Sequence, residues 1–260
     1  MKDTYVCIFG DSETRLWGLD GRERLTRMLA RIVNVTLVDD PSQAATTSDV
    51  LLIRADYVYE PRLLQELLKL QEEVVIFASD SENVVAVITS SDNAGKLAAE
   101  LVGDKEKKLI SAMKAQRPDE LVEAFDPRLL KYDPPKILPV NQENKKHLEN
   151  ELYNSSYKGI TDFVTKWLWP VPARWTVSLC VQHKWQPNHV TLLSLVLAIL
   201  AGLLFLGGYL WPGLVAGWIM TFLDTVDGKL ARVTITSSKT GDFFDHGLDL
   251  IHPPLWYLAW

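Results

Sequence analysis

The sequence predicts two different domains in one chain, a soluble α/β domain followed by an all-α transmembrane domain. In the first half, short β-rich runs alternate with segments of helical periodicity. In the second half, residues 187–223 contain no Asp, Glu, Lys or Arg, and an apolar run of this length can cross a membrane. We therefore expect a soluble domain over residues 1–135, a helical connector with an interfacial segment over 136–185, and the first part of a membrane domain over 186–260.

The α/β domain is predicted from the order of its segments. Strand-like runs occur at residues 5–10, 35–38, 50–54, 74–78 and, as a fifth candidate, 84–89. Segments with apolar residues at helical spacing lie between them, at residues 23–32, 61–70 and 94–102. This alternation is typical of a three-layer α/β domain around a mainly parallel sheet. The loops at the strand ends of such a sheet are suited to ligand binding.

A tryptophan-rich stretch, residues 163–175, ends the connector and is called here the tryptophan segment. It combines Trp167, Trp169 and Trp175 with Lys166 and Arg174. Indole rings prefer the membrane interface and cations face lipid headgroups, so this composition favours a segment lying on the membrane surface. The alternative is a packed loop of the soluble domain.

Three membrane spans are predicted, at residues 190–210, at 214–230 and from 242 to 260, with a tight aromatic turn at 208–213. Basic residues precede the first span and follow the second, whereas the first turn carries no charge. These basic residues are Arg174, Lys184, Lys229, Arg232 and Lys239. Because cytoplasmic loops are enriched in Lys and Arg, the loop after the second span and the soluble domain are both expected in the cytoplasm.

Composition argues against several other classes of protein. The net charge of -6 is unlike that of a nucleic-acid-binding protein, which usually carries a basic face. Cys7 and Cys180 are too few for a disulfide framework and lack metal-ligand spacing, so both are expected as reduced thiols. The first residues lack the apolar core of a signal peptide, which also indicates a cytoplasmic first half.

Four aspartates lie in or beside the apolar spans. Asp224 and Asp227 are three residues apart, and Asp245 and Asp249 are four apart, so each pair lies on one face of a helix. A carboxylate at membrane depth costs on the order of several kcal/mol unless its charge is offset, which makes these residues candidates for function. If the two helices are antiparallel neighbours, all four side chains can converge.

Converging carboxylates need cations between them. Hard oxygen ligands select Mg²⁺, Mn²⁺ or Ca²⁺ rather than zinc, and a pair of such ions commonly clamps a phosphoryl or diphosphate group. Gly228 and Ala231 leave space on the same helix for a bulky ligand, and Arg232 supplies a charge suited to phosphate or to an aspartate. The pattern suggests attack by an alcohol on a diphosphate at the membrane surface.

Eight of these positions together resemble the signature of the CDP-alcohol phosphotransferase family. They are Asp224, Asp227, Gly228, Ala231, Arg232, Gly241, Asp245 and Asp249, and every fixed position has its expected spacing. The start of the first span, residues 186–191, is also similar to the family's usual sequence there. The resemblance covers about the last quarter of the chain. It implies a six-helix membrane fold, so we expect this sequence, which ends in its third span, to be part of a longer domain.

The resemblance also implies the reaction and the residue roles. A substituted phosphate moves from a CDP-alcohol to an acceptor alcohol, with release of CMP. Asp224, Asp227 and Asp245 would bind Mg²⁺ or Mn²⁺, two ions in all, and Asp249 would be the general base and also a ligand. The CDP site would be bordered by Gly228, Ala231, Arg232 and Gly241.

The partners and location follow from the same resemblance. We expect a CDP-alcohol donor, an alcohol or phosphorylated polyol acceptor, membrane lipid and a homodimer, in a cytoplasmic membrane of bacterial or archaeal type. The active site would face the cytoplasm. Asp242 and His246 lie outside the signature and are expected to be solvated or to cap a helix.

The soluble half resembles sugar-nucleotide pyrophosphorylases and other nucleotidyltransferases. The loop after the first strand contains Gly10, Ser12 and Arg15, and Asp56 ends a later strand where that family has a metal-binding Asp. The junction at residues 149–162 is similar to that of fused enzymes making inositol-phosphate diesters. The usual loop is richer in Gly, so either a degenerate domain kept for structure or regulation or a divergent active one is expected.

Two other functions are compatible with parts of this pattern. A cation transporter could use intramembrane acids to bind translocated ions, although the fixed spacing of Gly228, Ala231 and Arg232 would then be unexplained. A membrane-anchored nucleotidyltransferase would use the soluble half alone and would give the four aspartates no role.

Overall fold

The computed structural model describes residues 4–46, 48–102, 108–127, 129–157, 159, 162–236, 253–254 and 256–258. The chain divides into two compact units, residues 1–150 and 151–260.

The first unit is an α/β domain. Its strands are β1 (Thr4–Phe9), β2 (Val35–Val38), β3 (Asp49–Arg54), β4 (Tyr57–Tyr59), β5 (Val74–Phe77), β6 (Val84–Ser90), β7 (Lys114–Gln116), β8 (Phe125–Asp126), β9 (Lys131–Tyr132) and β10 (Ile137–Pro139). Its helices are α1 (Gly21–Leu29), α2 (Pro61–Leu67), α3 (Ser91–Val102), α4 (Lys108–Ser111), α5 (Pro118–Leu121) and the start of α6 (Lys145–Ser155), with a 3₁₀ turn at Pro41–Gln43. All five strands and all three helices predicted for this half are confirmed.

Six strands form one mixed sheet in the order β2-β1-β3-β6-β5-β7. β1 is parallel to β2 and β3, and β5 is parallel to β7, but β6 is antiparallel to both β3 and β5. The expectation of a mainly parallel sheet is therefore only partly confirmed. The reason is the short link between β5 and β6: a parallel pair needs a crossover of about a dozen residues or more, whereas a short link allows only a hairpin.

The core of this unit lies on the central strands. Strand β3 is buried from Val50 to Ile53 and β6 from Val84 to Thr89, as expected of strands covered on both faces. Helix α1 begins with a capping box, because Asp20 Oδ1 accepts from Glu23 N at 2.8 Å and Glu23 Oε2 accepts from Asp20 N at 3.2 Å. These bonds satisfy backbone donors that a helix start otherwise leaves unpaired.

The ordered structure of the first unit extends past the predicted boundary at residue 135. Strand β10 pairs antiparallel with β4, with Ile137 opposite Tyr59. The Ser79 hydroxyl adds a side-chain bond, accepting from Ile137 N at 2.7 Å. The start of the predicted connector is thus a strand of the α/β unit.

The second unit is helical. It contains the end of α6, a π-helical turn at Val164–Leu168, and helices α7 (Pro170–Gln182), α8 (Pro187–Leu206) and α9 (Leu210–Val233). The first two predicted spans coincide with the helices α8 and α9, whereas the predicted turn over 208–213 is too long, since α9 already begins at Leu210. Within the part of the chain that the structure describes, α8 is the one helix long and apolar enough to cross a membrane.

Helices α8 and α9 pack through small residues. A Cβ atom added at Gly213 would lie 2.5 Å from Phe205 Cε1, so the missing side chain lets the two helices approach. Ser194 Oγ donates to the Met220 carbonyl at 3.2 Å across the same contact. From the third predicted span, of which only residues 253–254 and 256–258 are described, Trp256 Nε1 donates to the Ala198 carbonyl at 3.0 Å.

The tryptophan segment has both buried and exposed aromatic residues. Trp169 is buried, with its ring centroid 6.0 Å from that of Trp218 and 5.9 Å from that of Phe222. Trp167 and Trp175 are both exposed. Trp169 packs on α9 of the second unit, so the alternative of a packed loop of the soluble domain is not supported, while the exposed rings of Trp167 and Trp175 are compatible with an interfacial segment.

Candidate active site

Two of the predicted metal ligands lie on the second half of α9. Asp227 is 5% exposed and Asp224 is half-buried. Thr191 of α8 donates its hydroxyl to Asp227 Oδ2 at 2.6 Å. A short hydrogen bond to an ionised acceptor is among the stronger kinds in proteins, so α8 contributes directly to the orientation of this carboxylate.

Thr191 is a site residue that the sequence did not single out. It belongs to the stretch 186–191, which resembles the family's usual sequence as a whole, but the sequence gives its hydroxyl no specific partner. The same hydroxyl lies 3.1 Å from the Pro187 carbonyl, a common bond within a helix. Only the packing of α8 on α9 reveals that it also reaches Asp227.

Gly228 leaves open space beside the acidic pair. A Cβ atom added there would meet no described atom within 4 Å, in contrast to Gly213 on the same helix. Glycine inside a helix costs roughly 0.5–1 kcal/mol relative to alanine, and no contact with the described residues requires it here. The predicted role, leaving room for a ligand, is compatible with this geometry.

The basic residues of this helix contact the segment that follows α6. Lys229 is 5% exposed, and its Nζ donates to the Ser156 carbonyl at 3.1 Å. Arg232 Nη1 donates to the same carbonyl at 3.2 Å. The Lys229 ammonium also lies 3.0 Å from the ring centroid of Tyr157. The sequence assigned Arg232 to the CDP site but did not identify these contacts.

The remaining signature residues lie outside the described residues. These are Gly241, Asp245 and Asp249, together with their neighbours Asp242 and His246. Among the residues that are described, no group of three or more His, Cys, Asp or Glu side chains could hold a metal ion. The described part of the site supplies two carboxylates of the predicted four. Their hard oxygen atoms fit Mg²⁺ or Mn²⁺, and their positions one helical turn apart allow a shared ion.

In the first unit, the structure brings together three of the four predicted nucleotide-site residues. Gly10 has a φ of 69°, and a Cβ atom there would lie 3.3 Å from Asp56 Oδ1. Ser12 Oγ donates to the Val140 carbonyl at 3.2 Å, and Val140 N donates to the Asp56 carbonyl at 2.8 Å. Arg15 Nη2 instead lies 3.6 Å from Asp20 Oδ2, in an ion pair whose arginine is exposed and whose aspartate is half-buried.

Asp56 is held by a neighbouring arginine. Arg54 Nε donates to Asp56 Oδ1 at 2.9 Å, and Arg54 Nη2 donates to Oδ2. The hydrogen bond to Asp56 raises the pKa of the Arg54 guanidinium above its ordinary value, as expected for a bidentate pair. Both carboxylate oxygens therefore have a cationic partner from the chain itself, an arrangement that fits a divalent ion at Asp56 poorly.

Comparison with known proteins bears on the second unit. Residues 184–259 match the CDP-alcohol phosphatidyltransferase family. This confirms the resemblance carried by the signature, and the matched segment contains the described part of the site as well as the signature residues beyond it.

The relatives with similar sequences include two eukaryotic proteins. The chain is 30% identical over 124 residues to cholinephosphotransferase 1 of Xenopus laevis, an alignment covering 44% of this chain and 30% of the relative. It is 36% identical over 124 residues to a CDP-alcohol phosphatidyltransferase class-I family protein of Schizosaccharomyces pombe, covering 43% of this chain and 32% of the relative. The chain thus matches about a third of the length of either relative.

Proposed function

We propose that this protein is an integral-membrane, metal-dependent CDP-alcohol phosphotransferase with its site on the cytoplasmic side. The observation that carries the proposal is the pair Asp224 and Asp227 on α9, with Asp227 buried and bonded to Thr191 of α8. Both helices lie within the segment that matches the family. The long apolar helix α8 supports the membrane location.

The reaction transfers a substituted phosphate between two oxygen atoms. Asp249 takes the proton of the acceptor hydroxyl, the acceptor oxygen bonds to the phosphorus that carries the donor alcohol, and the bond from that phosphorus to CMP breaks. Asp224, Asp227, Asp245 and Asp249 would hold two divalent ions, which neutralise charge on the diphosphate. Gly228, Ala231, Arg232 and Gly241 would border the cytidine diphosphate.

The neighbouring positions of Gly217 and Trp256 are compatible with a register that places Asp249 near Asp224. An added Cβ at Gly217 would lie 3.0 Å from the ring of Trp256, so these two positions are neighbours. Asp224 comes seven residues after Gly217, and Asp249 comes seven residues before Trp256. In an antiparallel helix pair with Trp256 facing Gly217, equal distances along the chain would bring Asp249 level with Asp224.

The product is proposed to belong to phospholipid or inositol-phosphodiester synthesis. Similarity to a cholinephosphotransferase supports the phospholipid case. The donor and acceptor alcohols are defined by pocket residues that the signature does not include.

The test is release of CMP from a panel of CDP-alcohols by the protein in detergent, with products identified by mass spectrometry. Activity should require Mg²⁺ or Mn²⁺, vanish with EDTA, and be lost in Asp227→Asn and Asp249→Asn. Asp80→Asn, a change at an exposed aspartate of the first unit, should match the wild type. Full activity in Asp249→Asn would contradict its role as the base.

The two alternatives predict different results. A cation transporter would show ion flux into proteoliposomes without CMP formation. A membrane-anchored nucleotidyltransferase would consume CTP in a reaction lost on Asp56→Asn. The bidentate Arg54–Asp56 pair argues against the latter, and we expect Asp56→Asn to leave CMP release from CDP-alcohols unchanged.

A further inference from the structure

The segment Tyr153–Tyr157 contacts α9 beside the proposed CDP site, although it precedes the family match at residues 184–259. It comprises the end of α6 and the two residues after it, and it is called here the docking segment. Its contacts with α9 are made by the two basic residues Lys229 and Arg232. The signature specifies Arg232 but leaves position 229 open.

The groups around Lys229 stabilise its positive charge. A buried ammonium is costly unless hydrogen bonds or other favourable interactions replace its water. At 5% exposure, Lys229 has the Ser156 carbonyl at 3.1 Å and the face of the Tyr157 ring at 3.0 Å from the centroid. A carbonyl near a helix C-terminus and an aromatic face both attract cations.

The docking segment is held in its conformation by hydrogen bonds and a ring contact between its own residues. The hydroxyls of Tyr153 and Tyr157 lie 3.0 Å apart, and their rings are in edge contact with centroids 5.5 Å apart. Ser156 Oγ donates to the Tyr153 carbonyl at 2.6 Å. Burial raises the pKa of the Tyr157 hydroxyl above its ordinary value, so the ring over Lys229 is neutral at physiological pH. The hydrogen bonds and the ring contact within the docking segment fix the position of Ser156. Its carbonyl is therefore a defined acceptor rather than part of a free loop.

Arg232 shares that acceptor. Its Nη1 donates to the Ser156 carbonyl at 3.2 Å, which restrains a long side chain that otherwise has many rotamers. A guanidinium has five N–H donors, so one bond to a carbonyl leaves donors that can point to a phosphate. Gly228 and Arg232 are four residues apart and lie on one face of α9, where Gly228 leaves open space.

We propose that the docking segment positions Arg232 for the diphosphate of the CDP-alcohol, with Lys229 and Tyr157 as positioning residues that do not contact the substrate themselves. This inference rests on the proposed phosphotransferase function. Lys229 holds Ser156 and Tyr157 on α9, and the Ser156 carbonyl in turn orients the Arg232 guanidinium. Losing this restraint should weaken donor binding specifically, because the acceptor alcohol has no part in these contacts.

The experiment compares two matched pairs of variants in the whole protein in detergent. Lys229→Met removes the cation but keeps a similar chain length, whereas Lys229→Arg can still bond a carbonyl and stack on an aromatic ring. Tyr157→Leu removes the ring, whereas Tyr157→Phe keeps it. The measurements are the KM for the CDP-alcohol, the KM for the acceptor, kcat, and the increase in melting temperature caused by CMP.

We expect Lys229→Met and Tyr157→Leu to raise the KM for the CDP-alcohol about tenfold, the size expected when an interaction with a charged group is lost. The KM for the acceptor should stay within about twofold, and both conservative variants should remain within about threefold of wild type. The CMP-induced rise in melting temperature should shrink in the same two variants.

Three results would overturn the inference, and they separate it from the proposed function. If Lys229→Met and Tyr157→Leu bind donor and CMP as the wild type does, the positioning role is wrong and the phosphotransferase function stands. The same conclusion follows if these variants lose only kcat or total folded protein, because that marks a purely structural role. If the wild type neither binds CMP nor releases it from any CDP-alcohol, both the function and the inference are wrong.

Discussion

At the scale of single residues, Thr191 provides the clearest test of how α8 supports the acidic pair. Thr191→Val keeps the shape of the side chain but removes the donor to Asp227. Loss of such a supporting bond commonly weakens metal binding by about 10- to 100-fold. We expect a higher Mn²⁺ concentration for half-maximal CMP release, with the same change in Mn²⁺ binding followed by electron paramagnetic resonance.

The matched control for Thr191 is Thr221→Val. The Thr221 hydroxyl is exposed and donates to the Trp218 carbonyl within α9, so its loss should leave Mn²⁺ binding unchanged. Equal effects of the two substitutions would show that Thr191 does not act through Asp227.

Two glycines of α9 allow helix packing and space for a ligand to be tested separately. Gly213→Ala should destabilise the protein by about 1–3 kcal/mol, the usual cost of overpacking, because the new Cβ would lie 2.5 Å from Phe205. Gly228→Ala should leave stability unchanged or raise it by up to about 1 kcal/mol, yet weaken CDP-alcohol binding. Thermal unfolding and the KM for the donor measure the two effects; unchanged donor binding in Gly228→Ala would contradict the predicted ligand space.

At the scale of secondary-structure elements, the close approach of α1 to the backbone just after β3 depends on Gly21. A Cβ atom there would lie 1.7 Å from the Ala55 carbonyl oxygen, and a backbone atom cannot move aside as a flexible side chain can. Gly21→Ala should therefore destabilise the first unit by about 3 kcal/mol or more. Gly95→Ala in α3, where the added atom meets nothing within 4 Å, should instead stabilise it by roughly 0.5–1 kcal/mol. Urea denaturation followed by circular dichroism measures both.

The end of β6 should make the first unit sensitive to acid. Glu73 Oε1 accepts from Ser90 N at 3.1 Å and from the Thr89 hydroxyl at 2.9 Å, and these bonds lower the pKa of Glu73 below its ordinary value. A lowered pKa contributes stability that is present above the unfolded pKa and is lost as pH falls through the folded pKa. Glu73→Gln should flatten this acidic part of the stability–pH curve; an unchanged slope would contradict the assignment.

At the scale of the whole molecule, the division at residue 150 predicts separable responses to ligand. Anything that binds only the folded state raises the stability of the part that binds it. If the cytidine site lies in the second unit, CMP with Mg²⁺ should stabilise that unit alone and slow the exchange of its backbone amides. Hydrogen exchange resolved by peptide would measure this, with UMP as the control nucleotide. Protection confined to residues 1–150 would instead indicate a nucleotide site near Gly10 and Asp56.

Several features of this molecule could be predicted from residue order because they depend on local chemistry. Buried strands such as β3 and β6 are runs of apolar β-formers, and α8 is a long apolar run without charge, so their type and place follow from composition and periodicity. The signature residues were recognised by spacing alone, and the match over residues 184–259 confirms that resemblance. The roles of the four aspartates remain predictions.

Other features depend on which segments meet in space. The mixed sheet arises from how β6 pairs with β3 and β5, and Thr191 gains a role only because α8 packs on α9. Arg54 and Asp56 are close in sequence, yet their bidentate pairing depends on side-chain directions at the end of β3. The sequence pattern predicts Asp56 as a ligand but does not show that the Arg54 guanidinium already binds it.

The sequence by itself determined the two-part architecture, the long apolar helix α8 and the resemblance of the acidic signature to a known family, because hydrophobic burial and helical spacing are properties of neighbouring residues. Only the tertiary structure decided the sheet pairing, the partner of Asp227, the pairing of Asp56 and the docking of Tyr157 on Lys229. Each of these joins residues distant in sequence or depends on rotamers, and such contacts are selected by the packing of the whole unit rather than by local preference.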